Sequence, residues 1–217
     1  MNTQKNGEKI LEILNKEYNY AESIRQRQSV DKIGEPIPWF TYPSIFFLDQ
    51  LDLKEKTMFE WGCGNSSLYF ANKVKHITSI EHNEEWYLKI KGQKKHNMDI
   101  KLCQLQDEYV NSINATDEKY DVISIDGEIY SRYNCAINAL AHLNPSGLII
   151  LDNSDWLTNT SKLLRNNNLI QVDMAGVGPV NEYFWCTSFY FTRDYNFSPI
   201  IAKQPLFVPG GLCNIRD

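Results

Sequence analysis

The stretch from Thr57 to Ala71, TMFEWGCGNSSLYFA, restricts the fold of this chain more than any other. It sets a strand, a glycine-cornered turn and a helix start in immediate succession. Met58, Phe59 and Trp61 form a short apolar run, and Gly62 and Gly64 then permit backbone angles and a close ligand approach that a Cβ would forbid. Asn65, Ser66 and Ser67 are helix-capping types ahead of Leu68, Tyr69, Phe70 and Ala71. A turn of this kind aims backbone N–H groups at whatever lies above the carboxyl end of the strand, so a nucleotide-like ligand is the expected occupant. Ser67 stands where a dinucleotide fingerprint carries Gly or Ala, which weakens a pyrophosphate reading.

Several similar units are implied downstream. HITSIEHN gives a second strand ending at Glu81, about twenty residues beyond the first, where a carboxylate accepts hydrogen bonds from ribose hydroxyls. A helix is expected over Asn83–Lys95, its lysines forming a solvated face, and DIKLCQ (99–104) reads as a third strand. YDVISID (120–126) is a nearly continuous apolar strand, as expected for one buried on both faces of a parallel sheet. Tyr133, Ala136, Ile137 and Leu140 then recur at helical spacing, Asn144–Gly147 reads as a turn, and Leu148–Asp152 reads as the next strand. A helix beginning near Trp156 stops at Asn166–Asn168. Strands at Leu169–Met174 and Trp185–Thr192 are joined by AGVGPVNEYF, too short for a helical crossover, so this pair is antiparallel.

Upstream, Ile10, Leu11, Ile13, Leu14 and Tyr18 mark an amphipathic helix placed to cover the ligand mouth. Glu22–Asp31 reads as a mobile polar stretch. In IPWFTYPSIFFLDQL the prolines hold an extended entry to a helix over Ile45–Leu51. The 217 residues suffice for one domain with a three-layer core. A net charge of −5 disfavours a broad nucleic-acid surface. Five cysteines without a CxxC pair fit a reducing compartment, and no run is apolar enough to span a membrane; with no hydrophobic segment in MNTQKNGEK, the expected location is cytoplasmic.

With Glu60 ahead of the glycines, FEWGCGNSS resembles motif I of the class I S-adenosylmethionine (SAM) dependent methyltransferases. The resemblance spans roughly residues 55 to 193. It implies an α/β, Rossmann-like seven-stranded sheet of order 3-2-1-4-5-7-6, strand 7 antiparallel, with helices on both faces. It also implies a cap or lid segment (1–54), a SAM-binding domain (55–193) and a C-terminal coil (194–217). Cofactor contacts are expected from Tyr42, Glu60, Gly62, Cys63, Gly64, Asn65, Ser66, Glu81 and Asp126, with Gln106 and Asp107 near the adenine.

Asp126 in IDGEIYSRY and Asp152 with Asn153 in LIILDNSDW should converge, because adjacent parallel strands lie about 4.8 Å apart. Two carboxylates and an amide are hard oxygen ligands suited to Mg²⁺. The triplet resembles the metal site of the catechol and caffeoyl-CoA type O-methyltransferases, carried over as Asp126, Asp152 and Asn153. The lysine base that those enzymes place shortly after the first Asp is missing here, where Gly127, Glu128 and Ile129 stand. Asp126 or Glu128 is then the candidate base, and the metal-free route is preferred. Arg132 is a candidate fork for a carboxylate or phosphate of the acceptor. Tyr183, Phe184 and Trp185 offer aromatic faces to it. The function expected is methylation, on oxygen, of a small-molecule or saccharide acceptor. Aminopropyl transfer, a nicotinamide-dependent oxidoreductase and a non-catalytic cofactor-binding scaffold remain as alternatives. Oligomeric state is not legible.

Overall fold

The computed structural model describes residues 3–212, and Cys213 lies outside them. Strands β1 (Thr57–Trp61), β2 (His76–Glu81), β3 (Met98–Leu102), β4 (Tyr120–Ile125), β5 (Leu143–Leu151), β6 (Ile170–Gly176) and β7 (Trp185–Phe191) form one sheet of order β3-β2-β1-β4-β5-β7-β6. The first five run parallel, and β7 lies antiparallel between β5 and β6. The expected order and hairpin are therefore present.

Helices α1 (Thr3–Tyr18), α2 (Tyr20–Gln26) and α3 (Tyr42–Leu48) precede the sheet. Helices α4 (Asn65–Ala71), α5 (Glu84–Lys91), α6 (Gln106–Asn111), α7 (Arg132–His142) and α8 (Thr158–Asn166) alternate with its strands. Successive strand residues point to opposite faces, which divides the core in two. Met58, Val122, Leu148, Ile150, Phe189 and Phe191 pack under α3, α4 and α5, together with Phe40, Ile45, Leu48, Leu68, Phe70 and Ile90. Phe59, Trp61, Ile123, Ile125, Ile149, Leu151 and Tyr190 pack on the other side against Tyr109, Ala136, Ala139 and Leu164 of α6, α7 and α8. The segment around α3 belongs to the first of these cores, so it is structurally continuous with the sheet.

Local boundaries shift for physical reasons. The expected turn at Asn144–Gly147 is absorbed into β5 as an irregularity: Tyr120 pairs with Leu143 but Val122 with Leu148, so β5 carries the extra residues. Asp121 fastens this corner. Its carboxylate accepts from the Asn144 side chain at 3.1 Å and from the Thr57 amide at 2.9 Å, tying together the starts of β1, β4 and β5. Trp156 and Leu157 lie in the turn before α8 rather than in the helix. Glu22–Asp31, expected as a mobile stretch, contains most of α2, with Ser23, Ser29 and Val30 buried.

The carboxyl ends of β1 and β4 approach so closely that a Cβ on Gly62 would lie 2.7 Å from both Cα and N of Gly127. Gly62 also has φ +95°. Both neighbours are backbone and cannot swing aside, so Gly62→Ala is expected to cost about 2 kcal/mol or more. Urea denaturation of the variant checks this, and an unchanged midpoint would contradict the close approach.

Candidate functional site

The ends of β1, β2, β4 and β5 open into a cavity of about 320 Å³, within the range of small-ligand pockets. Its floor is the turn Gly62, Cys63 and Gly64 with Asn65 and Ser66. Glu81 and His82 form one side, and Asp126, Gly127, Asp152 and Asn153 another. The roof comes from Arg27, Gln28, Ser29, Trp39, Trp156, Asn181 and Tyr183.

Glu81 is buried and accepts from the amides of Cys63 at 2.7 Å, His82 at 2.9 Å and Asn83 at 2.8 Å. A carboxylate offers about four acceptor directions, so about one remains for a ligand hydroxyl. The same bond to the Cys63 amide locks the glycine turn against the end of β2. Burial, then Glu81 and Glu60, push the Cys63 thiol far above its ordinary value, which leaves it an inert wall residue.

Glu60 corrects one expectation. It does not line the cavity but lies fully buried beneath the turn, accepting from the hydroxyls of Ser66, Ser67 and Ser79. Ser67 in turn accepts from the Gly64 amide at 3.1 Å. The serine that replaces a fingerprint glycine thus joins the carboxylate to the start of α4. Burial raises the Glu60 carboxyl to about 7, against the lowering effect of the three serines.

Arg132 corrects two more. The guanidinium is buried at the head of α7, and its donors are consumed internally. Nε donates to the Gly127 carbonyl at 3.0 Å. Nη1 donates to the Asp152 carbonyl at 2.7 Å and to Asn153 Oδ1 at 3.2 Å. Nη2 donates to Asp126 Oδ1 at 3.2 Å and to the Gly127 carbonyl at 2.8 Å. No fork is left for an acceptor anion, so that role is withdrawn. The expected metal ligands Asp126, Asp152 and Asn153 do come together, but around this guanidinium, which binds the side chains of Asp126 and Asn153 and only the backbone carbonyl of Asp152. Asp152 Oδ1 further accepts from Trp185 Nε1 at 3.0 Å and Thr187 Oγ1 at 2.5 Å. Mg²⁺ requires near-octahedral oxygen ligands at about 2.1 Å, and here the guanidinium already occupies Asp126 Oδ1 and Asn153 Oδ1 while Trp185 and Thr187 occupy Asp152 Oδ1. The residues do not fit the ion. Among the described residues no group of three or more His, Cys, Asp or Glu side chains is placed to hold a metal.

Burial, and next the neighbouring Asp152, raise the Asp126 carboxyl well above its ordinary value despite Arg132. Burial likewise raises Asp152 to about 6, opposed by Thr187, Arg132 and Trp185. Glu128 behaves differently: burial is the largest single influence and raises it, but the Ser131 hydroxyl and the Tyr130 and Ser131 amides together outweigh that and hold it below the usual range. It caps the short 3₁₀ turn Ile129–Ser131 and faces a neighbouring cavity of about 390 Å³. A carboxylate occupied in this way is a poor base, so its catalytic assignment fails.

Tyr42 is also misplaced. It packs on Tyr18, donates to the Tyr18 carbonyl, and lines a separate cavity. Among the described residues none of α1 lines the main cavity; residues 27–29 reach it instead. The adjoining cavity shares His82 with the first and contains Gln106, as expected, but not Asp107. Of the expected aromatic group, Tyr183 lines the main cavity, Phe184 is exposed and Trp185 is buried on Asp152. Trp156, Trp86, His82 and the 27–29 arm carried no sequence signal tying them to the site. Trp156 and Tyr183 sit 6.3 Å apart, both about half exposed at the mouth.

No family model matches the sequence, and no curated protein matches it. Solved structures do match in fold. A precorrin-6y C5,15-methyltransferase from Geobacter metallireducens aligns with TM-score 0.57 and 15% identity over 69% of this chain and 87% of its own. The O-methyltransferase TomG from Streptomyces achromogenes, in complex with SAM, aligns with TM-score 0.54 and 12% identity over 67% of this chain and 74% of its own. An rRNA methylase from Streptococcus thermophilus aligns with TM-score 0.51 and 12% identity over 68% of this chain and 93% of its own. At these identities the likeness is one of fold.

Glu60 generates a stability prediction. Its folded value, about 7, exceeds the ordinary 4.5, so the folded state binds more protons between those limits and stability falls as pH rises through them. The loss is on the order of 3 kcal/mol for this group. Denaturant titrations from pH 4.5 to 7.5 should show the decline, and Glu60→Gln should flatten much of it. A wild-type profile rising over that window would contradict the assignment.

Proposed function

We propose that this protein is a SAM-dependent methyltransferase that methylates a hydroxyl oxygen of a small-molecule or sugar-like acceptor. The observation that carries the reading is the meeting, in one cavity, of the glycine turn, the buried Glu81 at the end of β2 and the paired Asp126 and Asp152. The methyltransferase structures that share the fold support it.

When bound, SAM would supply an electrophilic methyl group on a sulfonium, which an acceptor oxygen would take in line as the C–S bond breaks and S-adenosylhomocysteine leaves. This chain's residues do the remaining work. Glu81 orients the ribose through its remaining acceptor direction, and the Gly62–Gly64 backbone makes room for the methionine part. His82, Gln104 and Gln106 offer polar edges to the adenine in the adjoining cavity. Trp156 and Tyr183 present aromatic faces to the acceptor, and Asn153 and Asn181 present amides.

Asp126 is the proposed base. Burial, and next the Asp152 carboxylate beside it, raise its value, which favours proton uptake. Asp152, with donors from Trp185 and Thr187, is the more acidic partner. Positive charge entering beside Asp126 favours its ionised form, so the base is armed with the cofactor in place. The alignment of acceptor and methyl then accounts for most of the rate.

Calorimetry with S-adenosylhomocysteine (SAH) tests the cofactor half. Glu81→Ala should weaken binding about ten- to a hundredfold, the worth of a charge-assisted hydrogen bond. No SAH binding by the wild type, or unchanged affinity in the variant, would sink the assignment. For the catalytic half, Asp126→Asn should lower turnover about 10²- to 10⁴-fold. The wild-type rate should rise with pH along a limb displaced upward from an ordinary aspartate, and should survive EDTA. Chelator-abolished, Mg²⁺-restored turnover would show the base assignment to be wrong.

A further inference from the structure

Helix α2 stops at Gln26, and Arg27 takes a left-handed conformation, φ 51°, as its C-terminal cap. The Arg27 amide donates to the Ile24 carbonyl at 3.2 Å and the Gln28 amide to the Ser23 carbonyl at 3.1 Å. A residue with a Cβ adopts this conformation only when its surroundings impose it, and an αL cap is a site where glycine is usual. The left-handed backbone at Arg27 turns residues 27–29 into the cavity wall. The arm is fastened there: Asn65 Nδ2 donates to the Ser29 carbonyl at 2.7 Å, and Asn65 directly follows the glycine turn. On its other side, the Tyr20 hydroxyl donates to the Asn181 carbonyl at 3.0 Å, holding α2 against the β6–β7 loop.

The charges around the cavity are unevenly committed. Glu81 accepts from three amides, and Asp126 is paired with Arg132. Asp152 accepts from Trp185 and Thr187. The Arg132 guanidinium is spent on the strand ends. Arg27 is an exposed lining cation for which no ion pair is found among the described residues. Glu81 stands at the ribose end, so the amino-acid part of the ligand extends along the glycine turn toward Asn65 and the 27–29 arm. The single anionic group of SAM, its carboxylate, belongs at that end.

We propose that the Arg27 guanidinium binds the cofactor's carboxylate, so that an arm lying ahead of the sheet completes the cofactor site. The inference rests on the SAM reading above. It accounts for an arginine at a cap where glycine is usual, since a guanidinium fork matches a carboxylate in two parallel hydrogen bonds. It also makes the arm sensitive to which part of the ligand is present.

The test compares SAH with 5′-methylthioadenosine, which keeps the nucleoside and sulfur but lacks the amino-acid part, by calorimetry on the full chain. The wild type should bind both. Arg27→Gln should weaken SAH about ten- to a hundredfold and change methylthioadenosine by no more than about twofold. Arg27→Lys should fall between. Arg27→Gly removes the guanidinium while relieving the left-handed strain, so it should lose SAH affinity like Arg27→Gln without a lower melting temperature. Equal losses for both ligands would mean that Arg27 merely shapes the arm, and would overturn the proposal. Unchanged affinity for both would overturn it too, leaving Arg27 to an anionic acceptor. A wild type binding neither ligand would instead remove the cofactor reading on which the inference stands.

Discussion

One buried guanidinium holds the functional end of this molecule together. β4 and β5 each lead into a carboxylate, and parallel pairing brings Asp126 and Asp152 side by side at the edge of the cavity. Left alone, the pair would repel and its loops would splay. Arg132 prevents this by binding Asp126, the carbonyls of Gly127 and Asp152, and the Asn153 side chain at once. Its position at the head of α7 follows from the turn before it: Glu128 caps Ile129–Ser131, and that short turn delivers Arg132 inward. The exposed-looking IDGEIYSR loop is therefore a structural unit, in which an acid caps, a glycine admits the close approach of Gly62, and a base clamps.

A second unit supports the glycine turn from below. Glu60 on β1 gathers three serine hydroxyls from α4 and β2, and Ser67 passes the connection on to the Gly64 amide. Burying a carboxylate is costly even when it is hydrogen-bonded. The cost is met at a turn whose backbone must hold one geometry, and Glu81 locks the same turn from the other side through the Cys63 amide. Glu60 and Glu81 thus act on one loop from opposite faces, one hidden and one facing the cavity.

The fold was legible because its determinants are local. Apolar runs such as YDVISID announce buried parallel strands, Gly62 and Gly64 announce the turn, and the brevity of AGVGPVNEYF fixes the antiparallel hairpin. The cavity acids were legible for a related reason: they sit at the ends of those strands, so topology alone places them. Side-chain direction was not. Arg132 looks like a surface arginine in sequence, and only the three-dimensional path of the 129–131 turn shows that every donor is spent. Tyr42 and Trp39 are three residues apart, yet the start of α3 sends Tyr42 to a separate cavity and leaves Trp39 at the roof. The 27–29 arm was missed because its place depends on a left-handed cap at a residue that is not glycine, against the usual sequence rule.

The two aspartates also show how one environment yields two chemistries. Loss of hydration raises both and Arg132 opposes the rise in both, so these two influences alone would treat them alike. What separates them is neutral donors. Asp152 lies beside β7, whose Trp185 and Thr187 donate to its Oδ1, and those bonds favour its ionised form. Thr187 is itself held by the Thr41 amide at 3.2 Å, so the setting of Asp152 depends on the chain ahead of α3 as well as on the terminal hairpin. Among the described residues the Asp126 carboxylate accepts only from the guanidinium, and burial and the neighbouring Asp152 raise it well above its ordinary value. The antiparallel β7 thus makes the two acids inequivalent: its donors favour the ionised form of Asp152, while Asp126 stands beside the glycine turn, where charge entering the cavity acts on it most directly.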